Sequence, residues 1–310
     1  MKKFLRVLAI VGIVVVSLVV VSTAANLIMG AVERSSVRPY GDKVSLESGD
    51  VNVSVTGEGE QTVVLLSGYG TAAPALDFAP LVEELQTRYT VVVVERFGYG
   101  YSDLGVTERT VENISDELHD VLAKLTVHRP IVIAHSLAGI YSLDYVNRFP
   151  GEVSALVTID SSVPEDFAIP ADRNSLEGAL AASGAVRWVI ALDPAIAAPV
   201  APAGVYSEAQ LKQIRLMNIW NYANPALVDE NNRTAENFRE VANLSYPSDL
   251  PVLAFVSQQL VDANERWLPA HEQQLRQSNR SELVVLDGDH YLHWTHSPEI
   301  VGVMQSFLGH

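Results

Sequence analysis

The sequence predicts an α/β fold: an eight-stranded, mostly parallel sheet with helices on both faces and a helical cap, preceded by one transmembrane helix. Three observations predict it. Branched apolar runs recur between turn residues, and the later ones, TVVVV, IVIA and VLAFV, are apolar almost throughout, as strands covered on both faces must be. Amphipathic stretches lie between these runs, and strands alternating with helices build right-handed βαβ units. At the N-terminus, 23 residues from Val7 to Met29 carry no charge.

That first run spans about 35 Å as a helix, against a hydrocarbon core of about 30 Å. Val and Ile are mediocre helix formers in water, but in lipid the backbone must satisfy itself, so a helix is expected. Lys2, Lys3 and Arg6 precede it, and the positive-inside rule then puts the body on the extracytoplasmic face. The small residues Ser22-Thr23-Ala24-Ala25 offer an alternative, a signal peptide cleaved to release a secreted body. The apolar run outlasts the usual signal core and continues through Leu27-Ile28-Met29, which favours an anchor. Residues 1–30 are therefore expected to form a membrane anchor or signal. Residues 31–42, with Arg34, Ser35, Ser36, Arg38, Pro39 and Gly41, are expected to form a polar linker.

Residues 43–310 are expected to form one domain. Its strands are predicted at Lys43–Glu47, Val51–Val55, Thr62–Leu66, Thr90–Val94, Pro130–Ala134, Ala155–Ile159, Val252–Val256 and Glu282–Leu286. The first two alternate apolar and polar residues, as half-exposed antiparallel strands do. Helices are predicted near Pro80–Arg88, Val111–Leu125, Leu137–Arg148, Ala263–Gln277 and Ser297–Leu308. One interval breaks the rhythm: residues 161–250 carry no buried-strand signal, and a structureless loop of that length is improbable. Helices at Ser175–Leu192, Ser207–Asn221 and Thr234–Leu244, separated by Pro194, Pro199, Pro202 and Pro225, make this interval a cap insertion.

Composition narrows the function. A chain of 310 residues, 48% hydrophobic, can bury a sizeable core, and the absence of cysteine excludes thiolate nucleophiles, disulfides and Cys-ligated metals. Lys2, Lys3 and Arg6 account for three of the 21 basic residues, leaving 18 against 37 acidic ones, or −19. Phosphate backbones repel such a body, so nucleic acid is not an expected partner, and polyanionic substrates are disfavoured.

The chemistry is concentrated in Pro130-Ile-Val-Ile-Ala-His-Ser-Leu-Ala-Gly-Ile-Tyr-Ser-Leu. A buried strand ends at Ala134, a helix starts at Leu137, and Ser136 occupies the turn between them. Such a turn strains the backbone, presents the hydroxyl beyond the sheet edge, and requires small residues two positions to either side, here Ala134 and Ala138. The alternative for Ser136 is an N-cap serine. The stretch resembles the nucleophile elbow of the α/β-hydrolase superfamily, G-x-S-x-G, with alanine at both glycine positions, in the manner of its serine esterase and lipase-like branch. Ser67-Gly68-Tyr69-Gly70 resembles the segment after the third strand of these enzymes, with Ser67 in place of the usual histidine. The resemblance implies an oxyanion hole from the backbone N–H groups of Tyr69 and Leu137. Glu95-Arg96-Phe97-Gly98-Tyr99-Gly100-Tyr101-Ser102-Asp103 resembles the family's D-x-x-G-x-G-x-S loop, for which a structural, pocket-shaping role is expected.

The family's general base follows the last strand. His290, directly after the Asp287-Gly288-Asp289 turn, is expected to fill that role, with His293 the alternative. His293 and His296 otherwise read as positions on a surface helix or at a helix start, and His135 as packing. The family's usual acid position after the seventh strand falls on Leu260, which cannot serve, and Asp262 lies two residues on. Some members, one group of haloalkane dehalogenases among them, place the acid after the sixth strand, where Asp160 stands 24 residues beyond Ser136. Asp160 is favoured over Asp262, and either keeps the order Ser, Asp, His. A serine at the elbow sets the chain apart from the dehalogenase and epoxide-hydrolase branches, which use Asp there.

The resemblance thus implies a serine hydrolase cleaving carboxylic esters through an acyl-enzyme, with no cofactor or metal required. Amide hydrolysis of the proline-iminopeptidase type is the alternative within the same machinery. The non-enzymatic reading is a catalytically inactive, membrane-tethered binding protein on the same scaffold. The apolar cap sequence, Trp188-Val189-Ile190 and onward, points to an apolar acyl substrate, with cap-to-core packing as the plainer reading.

Overall fold

The computed structural model describes residues 1–164, 175–197, 199 and 201–309. Of the expected cap, residues 165–174, 198 and 200 lie outside the described residues. Eight strands form one sheet: β1 (Asp42–Leu46), β2 (Gly49–Thr56), β3 (Thr62–Leu66), β4 (Thr90–Glu95), β5 (Ile131–His135), β6 (Ala155–Ile159), β7 (Val252–Ser257) and β8 (Ser281–Leu286). Their spatial order is β1-β2-β4-β3-β5-β6-β7-β8. β1 and β2 join antiparallel, and every pairing from β4 to β8 is parallel.

The order reverses between β3 and β5: from β3 the chain winds to one side, and from β5 to the other. Turns at that reversal diverge and open a crevice at the carboxyl edge, where ligands bind in open α/β sheets. Alternation along the strands splits the core. Val64 and Leu66 face the layer containing helices Val111–Lys124 and Ala138–Arg148, while Val63 and Leu65 face helices Ala79–Leu85 and Ser297–Leu308. Each fully buried Val or Leu contributes about 1.5–3 kcal/mol of burial free energy.

Helices follow where capping chemistry permits. Thr110 caps Val111–Lys124 by accepting from the Asn113 N–H, and Ser207 with Gln210 forms a capping box on Glu208–Asn221. Pro225, expected as a break, instead begins the helix Pro225–Val241, with Asn224 as its cap. The expected helix Ser175–Leu192 divides into Ser175–Ala182 and Ala185–Leu192, because Gly184 turns left-handed at φ +83°.

The N-terminal helix runs Lys2–Ser36, so residues 31–36 of the expected linker are helical. The reason is docking: Glu33 pairs with the buried Arg187 of the cap and accepts from the Trp220 indole N–H. The helix is long and apolar enough to cross a membrane, and residues 1–21 are exposed throughout.

Candidate active site

Ser136 stands at the end of β5 with φ +55°, a left-handed conformation that a side-chain-bearing residue adopts only when held there. The neighbouring strand end holds it. The Ser136 N–H donates to Ile159 O at 3.3 Å, and Ser136 O accepts from Ser162 N–H at 2.8 Å. The steric demands fall on two glycines. A Cβ on Gly68 would sit 2.6 Å from Ser136 Cβ, and one on Gly139 would sit 2.3 Å from Ser162 O. Gly139 thus carries the tight helix–sheet approach, so Ala138 is accommodated, fully buried, one position earlier.

The structure brings Ser136, His290 and Asp160 into one line. His290 Nε2 lies 2.9 Å from Ser136 Oγ, and His290 Nδ1 lies 2.7 Å from Asp160 Oδ2. The other Asp160 oxygen accepts from the Ser257 N–H and the Trp267 indole N–H, both at 3.0 Å. Three donors offset the cost of a carboxylate with no solvent exposure. Asp160 itself sits at φ +44°, a region Asp tolerates better than most residues, and its N–H is pinned to Phe255 O at 2.7 Å. Asp262 is not brought to the imidazole. It is exposed on the surface helix Gln258–Ala263, where it accepts from Gln258 Nε2, because the loop after β7 coils into that helix rather than turning back over the sheet.

The two expected oxyanion donors flank the serine. Leu137 follows it at the start of the helix Ala138–Arg148, where amides have no intrahelical partner, and Tyr69 follows Gly68, whose backbone packs on Ser136. Both ends of the Ser67–Gly70 segment are held by a buried network. Arg96 donates to Ser67 O at 2.7 Å, and Gly70 N–H donates to the Tyr99 hydroxyl at 3.3 Å. Glu230, on cap helix Pro225–Val241 and fully buried, accepts from Arg96 at 3.0 Å, Tyr99 at 2.8 Å and Tyr141 at 2.9 Å. Burial and the Glu230 charge push both phenols up in pKa. Glu95 organises the rest of that loop, accepting from Tyr40, Asn52 and the N–H groups of Ala75 and Tyr101.

His135 does more than pack. Its Nε2 lies 3.1 Å from the backbone carbonyl of His290, which can only accept, so Nε2 carries the hydrogen and holds His290 in place. Burial, with the His293 and His290 imidazoles nearby, keeps its pKa well below the ordinary histidine value. His293 lies on no surface: it is fully buried, 2.9 Å from Asp77 Oδ2, while Trp294 donates to Asp77 Oδ1. These contacts commit His293 to a structural pair and leave His290 facing the serine. Beside the site, a cavity of about 170 Å³ opens between Tyr69, Asp77, Ile196, Ile214, Tyr291 and Trp294. Among the described residues no cluster of three or more His, Asp or Glu is arranged to hold a metal.

Sequence reasoning missed Glu230, Asp77 and the Asp160 donors Trp267 and Ser257. None left a readable signal: Glu230 lies on a buried helix face that also carries Asn231, Thr234 and Asn237, so no apolar stripe marks it.

The alpha/beta hydrolase family model matches residues 63–302, more than three quarters of the chain. The chain belongs to the alpha/beta hydrolase family. It is 24% identical to the Bacillus subtilis protein YbdG over 335 aligned positions, covering 99% of each chain. It is 25% identical over 115 residues to 2-(acetamidomethylene)succinate hydrolase of Mesorhizobium japonicum, covering 37% of this chain and 41% of that one. The crystal structure of the epoxide hydrolase VrEH1 from Vigna radiata superposes with a TM-score of 0.67 at 15% identity, covering 86% of this chain and 97% of that one, a likeness of fold.

Proposed function

We propose that this hydrolase-family chain is a serine hydrolase that cleaves carboxylic esters and is held at a membrane by its N-terminal helix. The observation that carries the reading is the continuous relay from Ser136 Oγ through His290 to Asp160, at 2.9 and 2.7 Å. His290 Nε2 takes the Ser136 proton as Oγ attacks the ester carbonyl. The oxyanion is received by the Tyr69 and Leu137 N–H groups, each such donor being worth about 3 kcal/mol. His290 then hands the proton to the departing alkoxide, leaving an acyl-serine and an alcohol. Water, deprotonated by the same imidazole, hydrolyses the acyl-serine to the free acid. Asp160 fixes the imidazole tautomer and stabilises its charged form.

One feature favours esters over aminopeptidase substrates. A free α-amine calls for a carboxylate in the pocket. Asp77, the acid among the cavity's described lining residues, has its two oxygens engaged by His293 and Trp294. The test is a fluorophosphonate probe on the purified protein, followed by p-nitrophenyl esters and aminoacyl-arylamides. Labelling abolished by Ser136→Ala, with ester turnover and no arylamide turnover, is expected. A protein that neither labels nor cleaves any ester is a binding protein on the same scaffold.

A further inference from the structure

The N-terminal helix does not hang free of the domain. Ser22, Asn26, Gly30 and Glu33 form a stripe of helical spacing along one face, and that stripe meets the cap. Ser22 Oγ donates to Ser183 O at 2.6 Å and accepts from the Trp188 indole at 2.7 Å. Asn26 accepts from Arg187 Nε at 2.8 Å, and Glu33 pairs with the same guanidinium. The approach is close: a Cβ on Gly184 would stand 2.9 Å from Asn26 Cβ.

This contact sets a depth. About 20 residues of helix are needed to cross the hydrocarbon core, so a span that begins after Arg6 ends near Asn26. The cap therefore touches the anchor within the last stretch still at bilayer level. Around that contact the cap exposes large apolar side chains: Leu180 at 47%, Trp188 at 41%, Val189 at 49%, Leu192 at 88% and Ile196 at 61%. Trp188, with its indole N–H satisfied and its ring half exposed, is suited to the headgroup boundary. Ile196 also lines the cavity beside Tyr69 and Tyr291.

We propose that this rim of the cap is seated in the bilayer leaflet in which the anchor stands. An uncharged ester amphiphile dissolved in that leaflet then passes its acyl chain along Leu192 and Ile196 into the cavity beside Ser136. The proposal rests on the ester-hydrolase and anchor reading given above. The substrate is uncharged because the body, at 18 basic against 37 acidic residues beyond Arg6, repels anionic headgroups. Tethering makes up for what electrostatics withholds, since the anchor holds the rim at the surface whatever the lipid charge.

The test uses the full chain in phosphatidylcholine vesicles. The chain has no cysteine, so Leu192→Cys carries a single fluorescent label, and Glu60→Cys, at the opposite edge of the sheet, is the control. Quenching of the Leu192 label by lipid-borne nitroxide, with the Glu60 label quenched only by aqueous iodide, is expected. In L180D/V189D, hydrolysis of a long-chain ester dissolved in the vesicle should fall about tenfold, while water-soluble p-nitrophenyl acetate is cleaved at the unaltered rate. A Leu192 label open to iodide overturns the proposal. So does a label shielded from both quenchers, which would mean a second copy of the chain covers the face, and so does an equal loss on both esters. Failure of the underlying reading is separately visible: no ester is cleaved and no fluorophosphonate is bound, whatever the labels report.

Discussion

Asp160→Asn separates the two candidate acids, and its effect can be worked from the contacts. The carboxylate faces only donors: Ser257 N–H and Trp267 Nε1–H on Oδ1, and His290 Nδ1 on Oδ2. Asparagine has one oxygen to offer. Turned toward Ser257 and Trp267, it satisfies two buried donors and sets its NH2 against His290. Turned the other way, it leaves both donors facing an amide NH2, at about 1–3 kcal/mol each. The first orientation wins. His290 Nδ1 must then accept, so its hydrogen moves to Nε2 and points at Ser136 Oγ, where it can no longer take a proton. Such a tautomer reversal costs about ten-thousandfold in turnover, or about 5.5 kcal/mol of transition-state stabilisation. The assay is kcat on p-nitrophenyl butyrate, with Asp262→Asn as companion and thermal unfolding as the check on folding. Asp262→Asn should behave as the parent. Retention of more than about a tenth of the activity in folded Asp160→Asn would refute the tautomer reasoning.

Further outcomes follow from the same contacts. Gly68→Ala places a Cβ 2.6 Å from Ser136 Cβ, so the Ser67–Gly70 segment must shift; with the proposed oxyanion hole there, kcat should drop about a hundredfold or more, and an unchanged kcat would show that the segment does not form it. Glu230→Gln removes the buried partner of Arg96 and should lower unfolding free energy in urea by about 3 kcal/mol; a loss within error would mean the charge finds another partner. His135 has a folded pKa below its unfolded one, so the unfolded chain binds the extra proton, and stability is lost as pH falls through about 6.5. That loss forms part of the fall in unfolding free energy between pH 7 and 5.5, and His135→Asn should shrink this pH step. An unaltered step would show that His135 binds no fewer protons folded than unfolded.

The strands were legible because burial on two faces leaves a signal in every residue: all eight fall within a residue or two of their predicted limits. Ser136, His290 and Asp160 were legible because each follows a strand end, and parallel strands deliver their ends to one edge. The course of the N-terminal helix to Ser36 was not, since its last turns are held helical by Arg187 and Trp220, both more than 150 residues away. Pro225 read as a break because a proline in isolation does not reveal whether it stands inside a helix or at its first turn. Nor could Glu230 be placed, because what makes a buried acid tolerable is a set of donors drawn from the loop after β4 and the helix after β5.

The candidate residues also share a mechanical logic. Ser136 and Asp160 end adjacent strands, and both hold left-handed φ, at 55° and 44°, with side chains that make this conformation costly by about 1–2 kcal/mol each. Neither turn is held by its own strand. The Ser136 N–H is fixed by Ile159 O of β6, and the Asp160 N–H by Phe255 O of β7. Strain at each turn is therefore borne by the next strand across, and the last residue of β7 adds the Ser257 N–H that meets Asp160. A relay built this way keeps its spacing as long as β5, β6 and β7 stay in register. The network on Glu230 extends the same arrangement upward by fixing Ser67 and Gly70 from the cap. The cap is in turn clasped to the N-terminal helix through Arg187, so one chain of hydrogen-bonded and packed contacts runs from the apolar helix to the serine.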